Sequence, residues 1–285
     1  KTSTDGLATV QMPTTYKGPV LVKISDPTAN DHKGYLDEAT NFSKDFTVMR
    51  AAVDVTNFST AKTAPTVNIT PLTELSCLVM GATNAAAPTK VTLTAANTEV
   101  ANLFGIESNI VTLTGVKALN STAAPTEGEA LKYANALATL SGYEKNTNSS
   151  GGVAAALNQI KQSYSNGMFD MTTLANPLIQ GIATGMNGLV DANKVDSATA
   201  VLSVANIQSL YATNNQVLSV SLVRGNDAIR NPASDQDSET DAKNKIIVQF
   251  SQAQSVTVDN FLSKLFIDGV AVNTGRWVSG GTRLV

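Results

Sequence analysis

Residues 65–81, "PTVNITPLTELSCLVMG", switch hydrophobic period inside one short stretch. Val67, Ile69 and the threonines beside them alternate with period two, as in a strand, whereas Leu72, Leu75, Val79 and Met80 recur at helical spacing. No single element satisfies both periods, because side chains reverse at every strand residue but advance by much less at each helical one. Pro71 marks the boundary. Its missing N–H ends a ladder yet costs nothing in the first helical turn, where that donor has no partner anyway. Thr70 then stands at the N-cap, with Thr73 and Glu74 in the first turn. The sequence predicts a strand-built part and a helical part joined by a rigid elbow.

Ahead of the elbow, residues 1–70 read as a small β-sandwich. "GLATVQM", "GPVLVKI", "FTVMRAAVDV" and "TVNIT" supply strands, and stretches such as "SDPTANDHKG" supply turns. Val20, Val22 and Ile24 share one strand face and Leu21 takes the other, which points to a central strand.

Residues 71–214 carry the helical period of a bundle. "LTAANTEVANLFG" has Thr94 as cap and Gly105 as a left-handed stop. "PTEGEALKYANALATLSG" has Thr126 as cap, Glu127 and Glu129 near the positive end of the helix dipole, and Gly142 as the close. "GGVAAALNQIKQSYSNG" places Val153, Leu157, Ile160 and Tyr164 near one face, and "NPLIQGIATGMNGLV" and "SATAVLSVANIQSLYA" add two more helices. The glycines of "GIATGMNG" follow no phosphate-loop spacing and read as points of close helix packing or breaks.

Residues 215–285 return to strands: "QVLSVSLVRG", "NKIIVQF" and "DGVAVNTGRWV". The polar "NDAIRNPASDQDSETDAKN" between them reads as a long exposed loop. The ending on "GGTRLV" suggests a C-terminal β-domain completed by a further domain or a partner strand. The expected architecture is thus α+β and multidomain, with a β-sandwich, a central helical bundle and a C-terminal β-domain.

Charged residues make up only 15% of the chain and the net charge is −3, with no cluster of Lys and Arg interleaved with aromatics. Such a surface gives nucleic acid no electrostatic footing. No apolar run reaches the length of a membrane span, and the start at Lys1 points to a processed or excised form. Cys77, the only cysteine, lies among Leu75, Leu78 and Val79 and reads as a buried small hydrophobe. The single histidine, His32, sits in a turn-rich stretch and reads as a solvated loop side chain.

Several weak motifs in fixed order carry a resemblance. "GPVLVKI" (Gly18–Ile24), "YLDEAT" (Tyr35–Thr40), "MRAAV" (Met49–Val53) and "VNITPLTELS" (Val67–Ser76) resemble a family of bacterial exported surface proteins and lipoproteins. In that family an immunoglobulin-like or carboxypeptidase-regulatory-like β-domain precedes a helical region. "ANTEVANLFGI" and "LKYANALATLSG" are also similar to it, and the likeness spans roughly residues 15–165. It implies export, a modular surface location and structural or adhesive duty, and it brings no catalytic residues.

Candidate chemistry is sparse. Asp235, Asp237, Glu239 and Asp241 alternate in the acidic loop and offer oxygens to a hard cation such as calcium. The loop lacks the central glycine and closing glutamate of an EF-hand. "STAK", Ser59 to Lys62, has the S-x-x-K form of penicillin-recognising enzymes, with loose echoes in "YSN" at 164–166 and "NTG" at 273–275. That chemistry needs the serine to open a helix, and here the chain proceeds into Pro65 and a strand. Asn-x-Ser/Thr triplets stand at Asn41, Asn57, Asn68, Asn120 and Asn148. Trp277 beside Arg276 offers a stacking surface for a glycan or an interface anchor. The expectation is a non-enzymatic extracellular structural or adhesive protein that self-associates by strand pairing into a fibre or surface layer; the alternative is a glycan or small-ligand binding module.

Overall fold

A computed structural model describes residues 8–11, 13, 15–26, 28, 31–56, 66–82, 88–147 and 151–213. Of the C-terminal part it describes the backbone of 217–223, 245–250, 266–267, 270–271, 277–278 and 283–284. The chain divides into two compact units, Lys1–Tyr211 and Ala212–Val285.

In the first unit, β1 (Pro19–Ser25) pairs antiparallel with β4 (Val48–Asp54), with Val22 opposite Ala51. Between them in the chain lie β2 (Tyr35–Leu36) and β3 (Ser43–Lys44), which pair with each other. The expected β-sandwich over residues 1–70 is not seen: the described strands form two separate two-stranded ladders. The apolar residues on both faces of β1 have another cause. Val20 and Ile24 pack into the main core, while Leu21 meets a small cluster of Ala52, Cys77, Ala82 and Leu93. Helices take the place of a second sheet as the partner layer. "TVNIT" also forms no strand over its described residues, 66–70. Instead Asn68 donates its N–H to Val111 O at 2.8 Å and its Nδ2 to Ile110 O and Leu113 O at 3.2 and 2.8 Å.

Helix α1 (Pro71–Val79) begins where the period changes, with Pro71 in its first turn and Thr70 as N-cap. The Thr70 N–H donates to Thr73 Oγ1 at 2.9 Å, and the Thr70 hydroxyl pairs with the buried Tyr133 hydroxyl at 2.6 Å. Five further helices follow among the described residues: α2 (Lys90–Leu103), α3 (Gly128–Thr147), α4 (Gly152–Gln162), α5 (Met171–Asp191) and α6 (Ser197–Thr213). Three starts differ from expectation. Helix α3 begins at Gly128, so Glu127 and not Thr126 stands ahead of it, and the Leu131 N–H donates to Glu127 O at 3.4 Å. Thr89, not Thr94, caps α2 and accepts the Thr92 N–H at 3.2 Å. Helix α5 starts ahead of Asn176, at Met171, because Asp170 accepts the Thr172 N–H at 3.0 Å and provides the cap; Pro177 falls inside the helix. Between α4 and α5, β5 (Tyr164–Ser165) and β6 (Met168–Phe169) form a tight hairpin.

Gly142 does not end α3, which continues to Thr147. It marks the crossing with α5. A Cβ on Gly142 would lie 1.9 Å from the Gly181 carbonyl oxygen, and one on Gly185 would lie 2.2 Å from the Ala138 carbonyl oxygen. The glycines of "GIATGMNG" thus let two backbones touch. Around the crossing, Leu178, Ile182, Met186 and Leu189 of α5 are fully buried. One core unites strands and helices: Met49, Ala51 and Val53 of β4 share it with Leu72, Leu75, Phe104, Tyr133 and Leu157.

In the second unit, β7 (Val217–Val223), β8 (Lys245–Phe250), β11 (Trp277–Val278) and β12 (Arg283–Leu284) form a four-stranded sheet in the order β11-β12-β8-β7. Its pairings are antiparallel, with a register shift in β7 between Val217 and Ser219. β9 (Phe266–Ile267) and β10 (Val270–Ala271) pair separately.

Candidate functional site

A dense polar arrangement among the described residues of the first unit grows from the segment "YLDEAT". β2 and β3 hold Tyr35 opposite Lys44, and both side chains reach Glu144 on α3. The Tyr35 hydroxyl donates to Glu144 Oε2 at 3.0 Å, and Lys44 Nζ donates to Glu144 Oε1 at 2.9 Å while lying 3.2 Å from Asp37 Oδ2. Asp37 Oδ2 also accepts the N–H of Thr40, three residues on, at 3.0 Å and so holds the turn. From α3, the Ser141 hydroxyl donates to Asp37 Oδ1, and its oxygen accepts the Ala39 N–H at 2.8 Å. Lys145 Nζ donates to Ala39 O at 3.0 Å.

Asp37, Glu38 and Glu144 are all buried. Burial works against the Lys44 ammonium, but the Glu144 and Asp37 carboxylates outweigh it and hold its pKa above the usual lysine value. Burial, helped by the charges of Glu144 and Asp37, likewise pushes the Tyr35 phenol up. Glu38 makes a separate bond. It accepts the Leu119 N–H at 2.8 Å, and burial pushes its carboxyl up to about 8 despite that bond.

Two more fastenings lie on neighbouring faces. Arg50 of β4 forms a bidentate pair with Glu74 of α1, its Nε 3.0 Å from Glu74 Oε2, and Nη1 donates to Ala82 O at 2.7 Å. The Ser76 hydroxyl donates to Asn97 Oδ1, whose amide reaches Ala52 O at 3.4 Å, linking α1, α2 and β4. Five of the resemblance-bearing stretches therefore take part in the fastening of strands to helices. Ser141 sits among carboxylates as a nucleophile would, but its oxygen accepts a backbone N–H and its proton goes to Asp37. Both hydrogen-bonding directions serve the turn.

The sequence reading missed the α3 side of this interlock. Its signal was the spacing of Ser141, Glu144 and Lys145, which share one face of an otherwise alanine-rich helix. It also missed a carboxylate triad in the turn region. Among the described residues, Asp26, Asp31 and Asp45 bring oxygens within 4.8 Å of one another, and Asp26 Oδ2 and Asp45 Oδ1 are buried without a hydrogen-bond partner. These residues could hold a cation, and their hard oxygens suit calcium.

His32 has a side chain 72% exposed, with Nδ1 3.6 Å from Asp45 Oδ2, as a solvated loop residue should. Cys77 is fully buried, and burial, helped by the Glu74 charge, pushes its thiol up to about 12. Tyr164 and Ser165 of "YSN" are strand β5, not the end of a helix, and Asn166, at φ 51°, opens the turn to β6. Asn68 and Asn120 have a structural setting: Asn68 bridges to the 110–113 loop and Asn120 is buried. Asp235, Asp237, Glu239, Asp241, Arg276, Ser59, Lys62, Asn57, Asn148 and residues 273–275 lie outside the described residues, as does the side chain of Trp277.

The class that the fold defines is mixed α+β, with small two-stranded ladders leading into six helices among the described residues. No family model, no curated protein and no solved structure matches the chain. Among the described residues, no helix is long and apolar enough to cross a membrane.

Proposed function

We propose that the chain is a non-enzymatic structural or adhesive protein of a bacterial surface that assembles through its strands. The observation that carries this reading is the role of the motif residues. Tyr35, Asp37, Lys44, Arg50, Thr70 and Glu74 all bind other parts of the same chain. Their chemistry fastens strands to helices and makes a stiff body. Fixing the register of strand on helix is the part this proposal gives to the buried ion pairs, since desolvation offsets much of what they add to stability.

Strand edges supply the means of assembly. Among the described residues, β1 pairs with β4 alone and β7 pairs with β8 alone, and each of these edge strands is seven residues long. An unpaired edge of that length can accept a strand from another copy through main-chain hydrogen bonds. The resemblance, which implies export, supports the surface location. Electron microscopy and light scattering of the full chain test the reading over a hundredfold concentration range, a span of about 2.7 kcal/mol in association free energy. Regular oligomers or fibres are expected. A monodisperse monomer throughout, with and without calcium, overturns it.

A further inference from the structure

Lys44 Nζ lies between two buried carboxylates, 2.9 Å from Glu144 Oε1 and 3.2 Å from Asp37 Oδ2. The side chains of Asp37 and Glu144 are 0% and 6% exposed, and that of Lys44 is 28% exposed. An amine and a carboxyl held in contact this way react as parts of one molecule, which is worth an effective concentration of about 10⁵ M or more when the atoms are aligned. The two carboxylates are not equivalent. Asp37 accepts the Thr40 N–H and hydroxyl on Oδ2 and the Ser141 hydroxyl on Oδ1, bonds that favour the anion and keep its oxygens in the turn. Glu144 Oε2 instead accepts the Tyr35 phenol at 3.0 Å, so Oε1, beside the amine, is the oxygen placed to depart.

We propose that Lys44 and Glu144 join in an isopeptide bond that staples β3 to α3, with Asp37 as the base and the Tyr35 phenol on the acyl oxygen. One ammonium proton passes to Glu144 Oε1 along their hydrogen bond, giving a neutral amine and a carboxylic acid. The Nζ lone pair attacks Glu144 Cδ, Asp37 Oδ2 takes a second proton from Nζ, and the phenol donates to the oxygen on which charge develops. Asp37 then returns its proton to the departing hydroxyl. One C–N bond forms, one C–O bond breaks and one water leaves; nothing is oxidised or reduced. The product suits the site, because a neutral amide replaces a desolvated ammonium and carboxylate. Its N–H keeps Asp37 Oδ2 as acceptor and its carbonyl keeps the Tyr35 phenol as donor, so neither is orphaned. The staple rests on the fastening role given to these residues above and not on assembly through strand edges. Oligomers of unstapled chains would sink the staple alone, and stapled monomers would sink assembly alone.

The mass of the unfolded full chain reads the bond directly. It is expected to fall one water below the mass of the sequence, and a protease digest is expected to hold a branched peptide that joins the segments of Lys44 and Glu144. Lys44→Arg keeps the positive charge but has no amine to acylate, and is expected to restore the full mass. Asp37→Asn keeps the amine and the acyl group without the base, and is expected to slow the water loss about a hundredfold or more. Circular dichroism verifies that both variants fold. Full mass in the wild-type chain, a water loss that survives Lys44→Arg, closure as fast without Asp37, or a branch joining Lys44 to Asp37 overturns the proposal.

Discussion

Gly142→Ala tests the crossing on which the helical core rests. The new methyl would sit 1.9 Å from the Gly181 carbonyl oxygen, 2.6 Å from the Gly185 nitrogen and 2.9 Å from the Gly181 carbonyl carbon. All three are backbone atoms of α5, so no rotamer change relieves the clash; the helices must part by about 1 Å or more in a core that tolerates little excess volume. Overpacking of this sort costs about 3 kcal/mol or more, at the upper end of its usual range. Parting the helices also loosens the contacts of Ile182, Met186 and Leu189, which are fully buried around the crossing. Better helix propensity returns about 1 kcal/mol. The net loss is about 2–4 kcal/mol, which for a unit of this size lowers Tm by roughly 5–15 °C. Far-UV circular dichroism melts measure it, with Thr184→Ala as a control on α5 that removes only an exposed bond to Asn146 and shifts stability by about 0.5 kcal/mol or less. An unchanged or raised Tm for Gly142→Ala refutes the backbone contact.

Four further outcomes are expected. Glu74→Ala strands the Arg50 guanidinium in a mostly buried position and costs about 3–5 kcal/mol, whereas the double change Arg50→Met with Glu74→Leu costs much less; equal losses in urea melts would discount the pair. Glu38 keeps its proton in the folded chain up to about pH 8, while the unfolded carboxyl releases it near 4.5. The unfolded state binds fewer protons across that window, so stability falls as pH rises through it, and Glu38→Gln removes that fall. A wild-type-like pH profile for the variant contradicts the assignment. Asp54 acts in the opposite sense: hydrogen bonds from Lys90 and Thr56 hold its carboxyl down at about 2, so its stabilisation is present above 3.8 and lost as pH drops toward 2, a loss that Asp54→Asn abolishes in acid titrations. Cys77, the single thiol, resists a disulfide reagent at pH 8 until urea unfolds the chain; rapid labelling of the native protein contradicts its burial.

Calcium bears on both acidic groups. A rise in Tm at millimolar calcium that Asp45→Asn abolishes is the outcome expected of the Asp26–Asp31–Asp45 triad. A rise that survives the substitution points to the loop of Asp235, Asp237, Glu239 and Asp241, and no rise excludes both at that concentration.

Local chemistry made the start of α1 legible: Pro71 and Thr70 act over a few residues, and their preferences hold whatever packs around them, whereas the period-two residues before them form no strand. The helix of "LKYANALATLSG" was readable for the same reason, and so was the burial of Cys77 among apolar neighbours; that of "GGVAAALNQIKQSYSNG" was readable only to Gln162, since Tyr164 lies in β5 instead of on its face. The meaning of Gly142 was not, since a glycine near the end of an apolar stripe reads as a stop until a second helix lies against it. Asp170 lay beyond the apolar stripe, so the true start of α5 went unread.

Sequence alone determined that the middle of the chain is helical and that α1 begins at Pro71, because those choices rest on dihedral preference and on side-chain period. Tertiary structure decided the partner of each face. Both apolar sides of β1 could be covered by a second sheet or by helices, and period two is identical in the two cases. Likewise "YLDEAT" shows carboxylates in a turn but not the Ser141, Glu144 and Lys145 that meet them from a hundred residues away. Contacts between distant segments depend on how whole elements pack, and a one-dimensional pattern carries no record of that.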